Sequence, residues 1–115
     1  VNYTDGIIVN SNNVANTWST QIQKIGCFVN FIVNITVNRN TNYKIELGLL
    51  PESVRPIDSI THNTSSNRGD NCYIYIDPNG KFGFVKSDGS SWADGSSWAA
   101  DDGVRACITY LTTPD

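Results

Sequence analysis

Two stretches of this 115-residue sequence gather side chains with recognisable chemistry. Residues 73–85 read YIYIDPNGKFGFV and place Tyr73, Tyr75 and Asp77 along one short segment. Residues 88–93 read DGSSWA and residues 94–99 repeat it, which puts Trp92 and Trp98 into a Gly/Ser/Asp-rich connection. Aromatic faces stack on the C–H surface of a sugar ring, while carboxylates, guanidinium and imidazole groups take its hydroxyls. Arg55, His62, Arg68 and Asp70 stand in neighbouring turns and supply such groups. The expected site is therefore a saccharide site near the long connection. Trp92 or Trp98 would stack there, and Asp77, Arg68 or Asp70 would hold hydroxyls or phosphate, with Tyr73, Tyr75 and His62 at hand. Each aromatic has a competing structural role. Tyr73 and Tyr75 share one face of their strand against Ile74 and Ile76 on the other, which also suits a second packing layer. Either Trp92 or Trp98 could equally plug the core, and Trp18 is assigned to the core.

Catalysis finds little to build on. His62 is the only histidine, and the sequence has no G-x-S-x-G elbow, HExxH or P-loop. Asp94, Asp101 and Asp102 read as solvated groups of an acidic loop. A glycosidase pair among Asp70, Asp77, Asp88 and Asp94 would need a deep cleft that so small a domain hardly supplies. The expectation is a binding protein, not an enzyme, with no cofactor and no metal. Cys27, Cys72 and Cys107 are too widely spaced for a zinc site and odd in number. They are expected to be reduced and buried on strands, with one disulfide plus a free thiol as the other arrangement. The RGD at residues 68–70 and the sequons at Asn2, Asn34 and Asn63 are ordinary products of turn-rich, Asn/Thr-rich composition.

The elements that position these groups are strands. Charged residues are only 17% of the chain, and Asn, Ser, Thr and Gly fill the polar balance, which disfavours helices. From residue 25 to 37 every odd position is apolar, so this run predicts a long strand with a bend or bulge. Further strands are predicted over 43–49, 57–62, 72–76, 81–85 and 104–111, and weaker ones over 6–10 and 17–25. Residues 50–56 (LPESVRP) form an irregular turn, 63–71 a polar loop, and Asp77-Pro78-Asn79-Gly80 a hairpin turn. Seven or eight short strands in a chain of this length predict one all-β domain over 1–115. The expected fold is a compact antiparallel β-barrel or sandwich, Greek-key or jelly-roll-like. Phe28 and Ile32 on the polar face of the longest run suggest self-association. A net charge of −3 argues against nucleic acid, and no apolar run is long enough for a membrane span. The sequence contains no methionine, so it reads as a domain excised from a longer chain.

Over about residues 43–115, the order of these pieces resembles the C-terminal head of phage tail receptor-binding proteins, especially those of siphophages infecting lactic-acid bacteria. The pieces are LPESVRP, a polar loop, YIYIDPNGKFGFV, a Gly/Ser/Trp loop and a closing ACITYLTTPD. The resemblance implies a β-barrel head, carried on the virion at the tail tip or baseplate, that forms a homotrimer. Its partner would be a bacterial cell-surface saccharide or phosphosaccharide. In that family a His and an Asp on one hairpin strand and a Trp on the next shape the sugar site. Here Tyr75 and Asp77 stand on the first strand and Phe82 and Phe84 on the second, which shifts the expected stacking role to Trp92 and Trp98. The alternatives are a carbohydrate-binding module of an enzyme and a purely structural fibre tip.

Overall fold

A computed structural model describes residues 1–41, 43–67, 69, 71–86 and 98–113. Among these residues nine strands form two antiparallel sheets, the sandwich that the alternating pattern predicts. The strands are β1 (Ile8–Val9), β2 (Val14–Asn16), β3 (Gln21–Ile25), β4 (Phe28–Val37), β5 (Lys44–Leu49), β6 (Ile60–Ser65), β7 (Asn71–Ile76), β8 (Lys81–Lys86) and β9 (Gly103–Leu111). One sheet runs β1-β5-β8-β7-β6. In the other, β4 is central, with β2 and β3 in succession along one edge and β9 along the opposite edge.

Period two makes the core. Val29, Phe31, Val33, Ile35 and Val37 of β4 all point inward and are buried. They meet Ile45 and Leu47 of β5, Ile74 and Ile76 of β7, and Phe82 and Phe84 of β8. Phe31 and Phe82 close the gap between the sheets edge to face, with centroids 5.2 Å apart.

The 25–37 run is not one strand. Gly26 takes φ +62°, in the left-handed region open to glycine, and turns the chain between β3 and β4 so that Ile25 pairs with Phe28. The alternation survives across this turn by coincidence of spacing, which hides it in the sequence. Two inward assignments fail with it: Ile25 is exposed and Cys27 only half-buried. Cys107 also departs from expectation, because inward-facing Ala106 and Ile108 bracket it and leave it exposed opposite Ile32. Cys72 is buried, and none of the three forms a disulfide. Strand β6 extends to Ser65, into the predicted polar loop, because every residue from Ile60 to Ser65 pairs with β7.

Asp102 corrects the picture of a solvated acidic loop. It is fully buried, and its Oδ2 accepts from Lys86 Nζ at 3.0 Å and from the Ala99 amide at 3.0 Å. Lys24 is buried as well, and its ammonium donates to the Ser53 and Thr113 carbonyls at 3.0 Å each. The sheets also meet at a seam between β6 and β9, pinned where Ser66 pairs with Val104 and where Pro56 pairs with Thr112. Between the pins, Thr64 Oγ1 donates to the Arg105 carbonyl at 2.8 Å.

Candidate functional site

A hollow lies where the outer face of β4 and β9 meets the end of β6. Its cause is a break in the edge beside β4. The chain leaves the sheet after Asn16 and rejoins it at Gln21, and the Thr20 hydroxyl stands in for the missing strand. That hydroxyl donates to the Asn34 carbonyl at 3.1 Å and accepts from the Asn34 amide at 3.0 Å. Trp18 sits in the break. Its side chain is 63% exposed, and its Nε1 donates to Thr36 Oγ1 at 2.8 Å, which fixes the ring's edge and leaves its surface in water.

From Trp18 the trough crosses Asn34 and Thr36 of β4 and Arg105 of β9 to Ser66 and Asn67, enclosing about 700 Å³. A neighbouring hollow of about 380 Å³ shares Ser19, Asn34 and Arg105 and continues to His62 and Thr64. Arg105 is directly opposite Asn34 in the ladder and exposed. Among the described residues it forms no ion pair. Asn67 is already engaged, accepting from the Gly103 amide at 2.9 Å, and so gives the far wall a fixed amide. The trough thus offers an aromatic surface, a guanidinium and several amides and hydroxyls. It has the makings of a binding surface for a polyhydroxylated ligand.

A second cleft, of about 490 Å³, opens on the outer face of the other sheet. Its walls include Tyr43, Lys44 and Glu46 on one side and Tyr75, Asp77, Asn79 and Lys81 on the other. The Tyr75 ring lies across Gly83, where an added Cβ would stand 2.7 Å from the phenol oxygen and 2.0 Å from the Ile45 carbonyl. Lys44 Nζ lies over the same ring, 4.8 Å from its centroid. Burial, reinforced by the carboxylates of Glu46 and Asp77, holds the Tyr75 phenol protonated well beyond its ordinary range.

The residues expected to form one site are therefore dispersed. Tyr75 and Asp77 line the second cleft, and half-buried Tyr73 lies on the same face as Tyr75, paired with Val85. His62 belongs to the continuation of the trough, on the opposite side of the sandwich edge. Trp98 is fully buried: its ring meets Phe84 edge to face at 6.4 Å, and its Nε1 donates to the Tyr43 carbonyl at 2.8 Å. It offers no surface for a sugar and takes the core-plug role instead. Trp92, Arg68 and Asp70 lie outside the described residues.

Trp18 reverses its assignment, since it is a surface residue and not core. The signal was present in its neighbours, because Asn16, Thr17, Ser19 and Thr20 give it no apolar alternation to join. Arg105 and Asn34 had no such signal, being polar positions on strands whose neighbours only the register reveals. No group of three His, Cys, Asp or Glu side chains among the described residues is placed to hold a metal ion. Compared with family models, curated proteins and solved structures, the chain finds no match.

Proposed function

We propose that this domain is a non-catalytic recognition head that holds a bacterial cell-surface saccharide in the Trp18 trough. The sequence resemblance supports placing it at the tip of a phage tail or baseplate, where host adsorption requires such a head. The observation that carries the reading is the exposed Trp18 indole, tethered by Thr36 at the lip of a trough that also holds Arg105. An aromatic face contributes on the order of 1 kcal/mol beyond its buried area, and each polar contact about the same. One head is then a weak binder, and useful adsorption comes from several heads acting together.

Trp18→Ala should keep the fold, because the ring is exposed and leaves only one hydroxyl without its partner. Its affinity for host cell-wall fragments should drop by about tenfold per head. Cell-wall pull-down and calorimetry measure this, and parental binding by a folded variant would sink the proposal.

The same reading makes the head a homotrimer. Ile25, Phe28 and Leu111 stand side by side across β3, β4 and β9, and are 79%, 59% and 53% exposed. Phe28 is thus open as expected, while Ile32 is half-buried within its own subunit. Burying such a row against neighbouring copies contributes a few kcal/mol per subunit. Light scattering at micromolar concentration should return the mass of three chains. The mass of one chain would overturn the trimer and favour the monomeric carbohydrate-binding module.

A further inference from the structure

Residues 17–20 bring Trp18 and Ser19 to the trough, and their attachment to the sandwich is unusual. Among the described residues, no backbone-to-backbone hydrogen bond outside the strand ladders involves any of the four. Side chains fasten the segment instead. Trp18 Nε1 donates to Thr36 Oγ1 at 2.8 Å, and the Thr20 hydroxyl both donates to the Asn34 carbonyl and accepts from the Asn34 amide. None of the four residues is buried, and none belongs to the hydrophobic core. The two ends are firmer. Asn16 pairs with Thr36, Gln21 pairs with Ile32, and Ile22 is fully buried. Residues 17–20 are thus a short strap between two fixed points, laid across β4 at Asn34.

We propose that this strap opens and closes as a unit while the sandwich stays folded, and that the trough's ligand binds only the closed form. The second half rests on the saccharide reading of the trough, and the first half does not. Segments with few apolar contacts and few backbone bonds open at lower cost than the core around them. Opening here breaks the Trp18 and Thr20 hydrogen bonds and uncovers no core side chain. It also carries Trp18 and Ser19 away from Arg105 and Asn67, so the open form has no aromatic wall. A ligand spanning Trp18 and Arg105 meets both sides only when the strap is closed, and its apparent affinity scales with the closed fraction. Thr20 is then a positioning residue. It lines neither hollow and acts through Asn34 and through the strap that holds Trp18. One oxygen supplies both of the bonds that a neighbouring strand would have given Asn34, so the closed state is sensitive to its loss.

Hydrogen exchange of the whole chain tests the opening first, with no ligand present. The Asn34 amide should exchange at least about tenfold faster than those of Val33 and Ile35, its buried neighbours in β4. Thr20→Val keeps the side-chain shape and removes the hydroxyl. It should speed exchange of the Trp18 indole proton and weaken binding of host cell-wall fragments at least about fivefold, the contribution of one hydrogen bond. Thr20→Ser should restore most of both. Thr36→Val should resemble Thr20→Val, and the double variant should bind only slightly worse than either, because both losses open the same strap. In the parent, the fragments should slow exchange at Asn34. An Asn34 amide as protected as Val33 and Ile35 would overturn the strap, and strictly additive losses of affinity would show that it does not move as a unit. Weak binding by Trp18→Ala beside parental binding by Thr20→Val would overturn the coupling to ligand. Parental binding by both would remove the saccharide reading and the coupling with it, while the exchange rates still decide the strap.

Discussion

Trp98→Ala should lower the unfolding free energy by about 3–5 kcal/mol, the range for emptying a large aromatic site in a packed core. No part of this residue is exposed, so the full volume of the indole becomes a cavity between Phe84 and the end of β8. Two further losses accompany the cavity. The Tyr43 carbonyl loses the Nε1 donor that satisfied it, and the buried Lys86 ammonium loses the ring face 4.8 Å from it. Trp98→Phe should recover a good part of the loss by refilling the space, though not the hydrogen bond. For a chain of this size the alanine variant should melt roughly 15 °C lower. Urea unfolding and a thermal scan measure both quantities. A melting temperature within a few degrees of the parent would show that the ring is not a structural plug. The contrast with Trp18→Ala is the point of the pair, since one tryptophan carries stability and the other carries recognition.

Asp102→Ala should be of similar size, about 3–5 kcal/mol, for a different physical reason. Lys86 and Asp102 are 3.0 Å apart with side chains 4% and 0% exposed, so neither charge can be handed back to water. Removing Asp102 takes away the carboxylate 3.0 Å from a buried ammonium, and breaking a buried pair in this way is strongly destabilising. The Ala99 amide loses its acceptor at the same time. Asp102→Asn should cost less, because it keeps an oxygen for that amide and loses only the charge. Lys86→Met combined with Asp102→Ala should be more stable than the two single losses added together, since no buried charge then lacks the partner it has in the parent pair. Chemical denaturation of the four proteins forms the cycle. Strict additivity would mean that the two groups do not depend on each other.

What could be read beforehand follows the reach of each interaction. The inward row of β4 and the Asp77-Pro78-Asn79-Gly80 hairpin were legible because backbone geometry enforces period two and specific turn residues over a few positions. The turn at Gly26 was not, because a two-residue break keeps the odd positions apolar and imitates one continuous strand. Trp18 and Trp98 exchanged roles for a related reason. A Gly/Ser-rich context makes a tryptophan look exposed, yet Trp98 is drawn under Tyr43 by partners more than fifty positions away in the chain. Register decided the trough. Arg105 and Asn34 face each other only because β9 runs antiparallel to β4 in one alignment, which no local pattern encodes.

The Lys86–Asp102 pair also bears on how this molecule can change over generations. It joins the last residue of β8 to the residue just before β9, and the adjoining backbone is fastened to β4 through Val37 and to the approach to β5 through Thr41 and Tyr43. The chain between these anchors is the place where DGSSWA occurs twice. Once the base of a connection is closed from below, doubling its length adds only about 0.6 kcal/mol of closure entropy. That is far less than the anchors contribute. Changes of length that keep Trp98, Ala99 and both anchors in place therefore cost the sandwich little. Selection can sample insertions and deletions here at little risk, and the domain acquires one segment whose length is free to evolve while every sheet register stays fixed.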